Sequence, residues 1–268
     1  MVATQTDVWV TGNAPSLLVR IDPESNNVVS QTPTDGSPCG IAVGPDGRLW
    51  VALLSVGKVV AYDPATTKVV ATIDELGTAL WDLKAGFGAI WVVDKTNRQL
   101  IRIDPATATV TAEITIGRSG SGLAMAAGAV WVVDDLDGSI RRVDPATNTV
   151  TATVTTARGA SWFTDDGRSL LVGNRSDGSV TPIDTAAATA GVPIGGAQEP
   201  LDGTVVGDHA YVPDGTARTL IDIDLTTGSI VDVLRLDGAL KPFVSEPAFG
   251  DVWVLDYGGQ TIWRIRPS

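Results

Sequence analysis

Seven positions in this chain share one relation to a recurring apolar-Asp-Pro signature. Counting ten residues back from each signature Asp, or from the residue replacing it, reaches Gly12, Leu53, Asp94, Asp134, Asn174, Asp214 and Asp256. Five of the seven carry a carboxylate or carboxamide, and the residues just after Asp134 add Asp135 and Asp137. Several carboxylates gathered at one end of a fold could hold a hard cation such as Mg²⁺ or Ca²⁺ through oxygen ligands, or receive a cationic ligand. Asp94, Asp134, Asp214 and Asp256 are the metal candidates. The competing reading is structural, because Asp and Asn are natural turn residues that accept bonds from nearby backbone amides.

A second set breaks the repeat rather than following it. Where the chain has Gly40 and Gly122, the matching positions carry Asp82 and Asp202. Trp81 adjoins Asp82, and Trp162, Glu199, Lys241, Phe243 and Glu246 fall at or near corresponding points of later units, while Arg118 and Arg158 open the preceding loops. The repeat already accounts for packing, so its departures are where function is sought. A few polar groups among aromatics is the composition of a ligand pocket. Ion pairing in a solvated channel explains the same residues. If a catalyst is present, Asp82, Asp202 and Lys241 are its candidates, since a desolvated carboxylate near a lysine could act as a base of raised pKa. Trp81, Trp162, Glu199, Phe243, Glu246, Arg118 and Arg158 are the ligand-binding candidates.

Other chemistries lack their residues. His209 is the only histidine and Cys39 the only cysteine. The lone cysteine rules out an intramolecular disulfide and reads as a small buried residue. No glycine loop leads into a helix, no Gly-x-Ser-x-Gly elbow occurs, and no Cys/His metal spacing is present. The net charge of −12 argues against nucleic acid and against an anionic membrane surface. No apolar run is long enough for a membrane helix. Met1 to Val10 lacks the basic start and apolar core of a signal peptide.

These residues need elements to position them. The signature occurs at Ile21-Asp22-Pro23, Tyr62-Asp63-Pro64, Ile103-Asp104-Pro105 and Val143-Asp144-Pro145, then degrades at Ile183-Asp184-Thr185, Ile223-Asp224-Leu225 and Ile265-Arg266-Pro267. Successive steps are 41, 41, 40, 40, 40 and 42 residues. Upstream of each lies a β-branched run, usually around an aromatic, such as Val8-Trp9-Val10 or Val130-Trp131-Val132. Downstream comes a Thr/Val alternation such as Thr149–Val154, which reads as strand. Each unit thus holds four short strands, a to d, expected in the fourth unit at 122–127, 129–133, 139–144 and 149–155. Ser119-Gly120-Ser121-Gly122 is expected as a flexible link. In the Asp-Pro turn, Pro fixes φ and Asp accepts from amides ahead of it.

Four antiparallel strands repeated every 40-odd residues predict an all-β fold, a β-propeller, as one domain over 1–268. Seven strand-b markers, six of them centred on an aromatic, favour seven four-stranded blades over six. The last unit, at 242–249, 251–255 and 261–265, shows no clear outer strand.

The segments Ala129–Asp134 with Ile140–Val150 resemble YVTN-type propeller repeats, and Pro38–Val51 resembles a repeat of the streptogramin (virginiamycin B) lyase type. The likeness covers almost the whole chain. It implies a seven-bladed propeller and, for the lyases, elimination across an ester of a cyclic peptide lactone by a His base and Mg²⁺ held by acidic side chains. It also implies an extracytoplasmic setting. The sequence departs from the lyases at the base: His209 begins a strand b, at the end opposite the expected ligand face. Three functions follow. The first is a recognition or sensor module, monomeric, taking a small molecule, peptide or protein at the axial mouth. The second is a cation-dependent lyase or lactone/ester hydrolase. The third is a purely structural propeller.

Overall fold

The computed structural model describes residues 1–267. Every regular element among them is a β-strand. The first sheet comprises Val2–Ala3, Val8–Asn13, Ser16–Asp22 and Asn27–Pro33. The second comprises Pro38–Val43, Leu49–Leu53, Lys58–Tyr62 and Val69–Ile73, and the third Leu80–Gly86, Ala89–Asp94, Gln99–Asp104 and Thr109–Thr115. The fourth comprises Gly120–Ala126, Ala129–Asp134, Ser139–Asp144 and Thr149–Thr155. A nine-stranded sheet follows in two parts. Its fifth-unit part holds Ala160–Asp165, Leu170–Asn174, Ser179–Asp184 and the short pieces Thr189–Ala190 and Ile194–Gly195. Its sixth-unit part holds Gly203–Val206, His209–Asp214, Thr219–Asp224 and Ser229–Arg235. The parts join where Thr164 and Asp165 pair in parallel with Gly203 and Thr204. The last sheet has three strands, Pro242–Ala248, Asp251–Asp256 and Thr261–Ile265.

Strand order within each unit follows chain order, as expected for antiparallel meanders of a β-propeller. The chain divides into two compact units, Met1–Leu123 and the residues from Ala124 on, with the division inside strand a of the fourth sheet.

Within each unit, the core is made by consecutive sheets. Trp9 and Leu18 of the first sheet pack with Ile41, Leu49 and Val51 of the second. Trp50 and Val59 of the second pack with Leu80, Leu83 and Ile90 of the third. In the other unit, Trp131 and Ile140 meet Phe163, Leu170 and Val172. The strand-b tryptophans Trp9, Trp50, Trp91 and Trp131 are fully buried, as expected of aromatics filling the space between twisted sheets. Arginines opposite them on strand c cover four rings: Arg20 over Trp9, Arg102 over Trp91, Arg142 over Trp131 and Arg264 over Trp253, at 5.0–6.0 Å.

The signature turns behave as their residues require. Asp22, Asp63, Asp104 and Asp144 each accept from the amide two residues ahead at 2.8 Å. The turn then passes through a left-handed residue: Asn26, Thr67, Ala108, Asn148 or Ala188. Ala108 and Ala188, both at φ +53°, pay a steric cost there that glycine would not. Ala108→Gly and Ala188→Gly are each expected to stabilise the protein by about 0.5 kcal/mol. Midpoints of urea unfolding at constant m-value check this, and a drop in midpoint refutes it.

The expected flexible link is not one. Gly120, Ser121 and Gly122 belong to strand a of the fourth sheet and are buried. Their smallness serves close packing rather than mobility. The structure shows the same need at Gly40, where an added Cβ would lie 2.3 Å from the Leu83 amide nitrogen.

Candidate functional site

The repeat-aligned carboxylates come first. Asp94, Asp134, Asp214 and Asp256 are all at most 1% exposed, and each has its oxygens taken up locally. Asp94 accepts from the Gly77 amide at 3.0 Å and from the Asn97 amide and side chain. Asp134 accepts from the amides of Leu136 and Asp137 and faces Arg141. Asp214 accepts from the amides of Gln198 (2.6 Å), Glu199 (3.1 Å) and Ala217 (2.9 Å). Asp256 accepts from the amides of Leu240 (2.9 Å) and Lys241 (2.6 Å). At the fifth unit, Asn174 donates to Thr181 and Ser179 instead.

The turn-capping reading therefore describes these residues, with one addition. Asp94, Asp214 and Asp256 tie the b–c turn to the loop that enters strand a of the same unit. Among the described residues, no group of three or more His, Cys, Asp or Glu side chains is placed to hold a metal ion.

The repeat-breaking residues of the first unit have the following partners. Asp82 is 8% exposed. Its two oxygens accept from the amides of Leu83 and Leu123, both at 2.8 Å, so the carboxylate bridges the first strands of two successive sheets. Trp81 lies under the Lys95 ammonium, 4.5 Å from the ring centroid. Burial, helped by the Asp82 charge, pushes the Cys39 thiol up to about 12, so it is no nucleophile near neutral pH. Arg118 is exposed in the loop before Gly120.

The second unit assembles the richer cluster. Trp162, at the start of strand a of the fifth unit and 7% exposed, meets Phe243 edge-to-face with centroids 5.0 Å apart. Phe243 in turn lies 6.3 Å from Tyr257, which is 56% exposed. Beside the aromatics, Glu199 is held by Arg175, by Lys241 at 3.3 Å and by the Thr216 hydroxyl at 2.9 Å. Gly215 admits the carboxylate, since a Cβ there would come within 2.9 Å of it. Burial alone would raise the Glu199 carboxyl, but the Thr216 bond and the charges of Arg175 and Lys241 outweigh it and hold it below its ordinary value. The sequence-based expectation of a raised carboxylate beside Lys241 is corrected for Glu199: the cations keep it ionised.

Of the expected site residues, the structure thus brings together Trp162, Glu199, Lys241 and Phe243. Asp202 stitches strands a of the sixth and last sheets through its backbone, donating to the Phe243 carbonyl and accepting from the Ser245 amide. Glu246 stands opposite Trp253, four residues along the strand from Pro242 and so about 13 Å away. Arg158 is exposed, its amide bonded to Asp177. Arg175, Thr216 and Tyr257 were not singled out from sequence. Each follows a repeat-aligned Asn or Asp by one or two positions, where the units share no common residue type to depart from.

His209 begins its strand opposite Val206, at the a–b end, as the sequence predicts. It is nonetheless paired, with Nδ1 2.7 Å from Asp222. Asp7–Arg20 and Asp251–Arg264 occupy the same two repeat positions, at 2.7 and 2.6 Å, with the charges reversed. The bond to Asp222, with the charges of Asp222, Asp224 and Asp208, raises the His209 pKa above 6.5. A raised histidine stabilises the fold fully below its unfolded pKa, and that contribution fades as pH climbs through the folded value. His209→Asn is expected to abolish that part of the stability decline as pH rises above about 6.5. Unfolding midpoints across that range read it directly, and parallel curves for both proteins would refute it.

No family model matches the chain, and no curated protein matches it. Solved structures do. Hydrazine synthase of Kuenenia stuttgartiensis superposes with a TM-score of 0.86 at 14% identity, covering 100% of this chain and 94% of that one. Virginiamycin B lyase from Staphylococcus aureus superposes with a TM-score of 0.75 at 15% identity, covering 88% of this chain and 86% of that one. A streptogramin B lyase gives 0.74 at 13%, covering 87% and 84%. At such identities the likeness establishes fold alone. The chain has a β-propeller fold of the kind found in the streptogramin lyases.

Proposed function

We propose that this chain is a ligand-binding propeller of seven blades, built from YVTN-like repeats, and that its site is the cluster of Trp162, Phe243, Tyr257, Glu199, Lys241 and Arg175. The observation that carries the reading is a partly exposed aromatic cluster beside a carboxylate, Glu199, that is already ion-paired. Glu199 is balanced by two cations, and Asp214 and Asp256 beneath it are bound by amides. Such a site offers donors, acceptors and an apolar face, with its carboxylate already paired. Its ligand is an uncharged molecule, or uncharged part of a peptide, with one apolar face and hydrogen-bonding edges. Seven signatures and seven successive strand a–b–c sets support the blade number.

The test is calorimetric titration with a panel of neutral glycosides and uncharged aromatic amides. A ligand found this way should bind at least tenfold more weakly to Tyr257→Ala and to Phe243→Ala, each a loss of about 1.4 kcal/mol or more. Equal affinity for both variants removes the site from this cluster. Turnover of a lactone or ester in the same assay, dependent on Mg²⁺, would bring forward the enzymatic reading instead.

A further inference from the structure

Aspartate followed by glycine is a step at which a chain can alter itself, because glycine has no Cβ to shield its nitrogen from the preceding carboxyl. The sequence has eight such steps and no Asn-Gly. Six of the eight are held in place. Asp46 accepts from the Arg48 amide and the Trp50 indole, Asp166 from the amides of Arg168 and Ser169, and Asp177 from the Arg158 amide. Asp137 accepts from Ser139 and Arg141, and buried Asp214 from three amides. Asp202 is bonded through its backbone, and Gly203 leaves no room for a Cβ against Thr164.

Asp35 and Asp237 remain, with side chains 88% and 89% exposed. The first is confined. Asp35 meets the Lys58 ammonium at 3.4 Å, the Thr34 hydroxyl donates to the Gly36 carbonyl at 2.8 Å, and a Cβ on Gly36 would lie 2.7 Å from the Val56 side chain. The second is open. Asp237 stands 3.7 Å from Arg235, itself 85% exposed, a pair too solvated to fix either group. A Cβ added at Gly238 would meet nothing within 4 Å. Asp237 and Gly238 are the central residues of a turn that the Ala239 amide closes on the Leu236 carbonyl at 2.9 Å, with Gly238 at φ +90°. That bond uses the outer residues, so the central peptide can turn without breaking it. Leu236 and Ala239, 3% and 1% exposed, anchor the two ends.

We propose that Asp237 is a site of spontaneous covalent modification, where the folded protein isomerises to isoaspartate ahead of its other Asp-Gly steps. The Gly238 backbone nitrogen attacks Cγ of the Asp237 carboxyl, a water molecule leaves, and a five-membered cyclic imide forms. Water then adds to one of the two imide carbonyls. Breaking the new bond from nitrogen to Cγ restores aspartate. Breaking the original bond from nitrogen to the Asp237 carbonyl carbon leaves the chain running through Cγ, which is isoaspartate. One water is lost and one regained, and no other reactant enters. The main chain gains one atom between Leu236 and the Leu240 and Lys241 amides that bond Asp256. That extra length loosens the segment carrying Lys241, whatever ligand the neighbouring cluster takes.

The test ages the intact folded protein for several weeks at neutral pH and body temperature. Isoaspartyl methyltransferase with labelled S-adenosylmethionine then marks each isoaspartate, and peptide mapping locates the label. The Asp237 peptide is expected to carry at least tenfold more label than any other Asp-Gly peptide. Asp237→Glu, whose ring would need six members, is expected to remove it. Hydrogen exchange of the Leu240 and Lys241 amides is expected to be at least tenfold faster in the modified fraction than in aged Asp237→Glu. An unlabelled Asp237, over a time in which a free peptide of Leu234–Leu240 is fully labelled, overturns the proposal. Equal or earlier label at Asp35 or at any held step overturns it too. Label at Asp237 with unchanged exchange overturns the effect on the Lys241 segment.

Discussion

Gly40→Ala is expected to cost about 3 kcal/mol of stability, at the upper end of what overpacking usually does. The reason is the nature of the obstacle. The added methyl would sit 2.3 Å from the Leu83 amide nitrogen, 2.8 Å from the Leu83 Cβ and 3.0 Å from the Asp82 carbonyl carbon. Backbone cannot rotate aside as a side chain does, so the first strands of two successive sheets would have to part. Parting them loosens the packing of Leu83 against Ala42 and Trp50, all in one buried cluster. Gly77→Ala meets the Asp94 carboxylate at 2.0 Å, which can turn away only by giving up the Gly77 amide. That exchange predicts a smaller loss of about 1–2 kcal/mol. Gly195 has nothing within 4 Å of an added Cβ and no unusual φ, so Gly195→Ala is the internal control, neutral or slightly stabilising. Urea unfolding of the three variants orders them. Equal midpoints for Gly40→Ala and Gly195→Ala would show that successive sheets do not pack at this distance.

The same contrast explains what the sequence could reveal. The signature Asp acts within one hairpin and the strand-b aromatic recurs at the same point of most units, so a 40-residue period exposes both. The role of Asp82 is invisible at that range. Its partner amide at Leu123 is 41 residues away, one full repeat, and a backbone amide leaves no mark in sequence. Departure from the repeat flagged Asp82, and the structure has it bridge two strands. The same rule flagged Trp162, Glu199, Lys241 and Phe243, which contact one another in pairs in the second unit. It was not applied to the b–c turns, where Arg175, Thr216 and Tyr257 complete the cluster. The Lys241–Glu199 pair spans 42 residues and depends on two loops being held in register. What holds them is Asp214 and Asp256, two of the four metal candidates.

Asp256 shows how strongly. Asp256→Asn is expected to cost about 2–3 kcal/mol at neutral pH, since charge-assisted bonds to two amides weaken and the new NH₂ group must face one of them. Burial alone would raise the Asp256 pKa, but the amides of Leu240, Lys241 and Gly259 and the Thr261 hydroxyl more than offset it, leaving the carboxyl below its ordinary 3.8. A depressed carboxyl stabilises the folded state in full above the unfolded pKa, and the contribution is lost as pH falls through the folded value. Between about pH 5 and pH 2 the wild-type protein should therefore lose stability more steeply than Asp256→Asn, and the two curves should converge at the acid end. A constant gap across that range would mean the side chain contributes packing and not charge. The substitution also reaches the ligand site, because the Lys241 amide is one of the bonds lost. Loosening that loop moves the ammonium away from Glu199, which then keeps only Arg175 and Thr216. Affinity for a ligand of the cluster should fall in Asp256→Asn, while Asp134→Asn, which bonds the amides of Leu136 and Asp137 rather than a residue of the cluster, should leave affinity unchanged. That difference separates a carboxylate that positions the site from one placed elsewhere in the repeat.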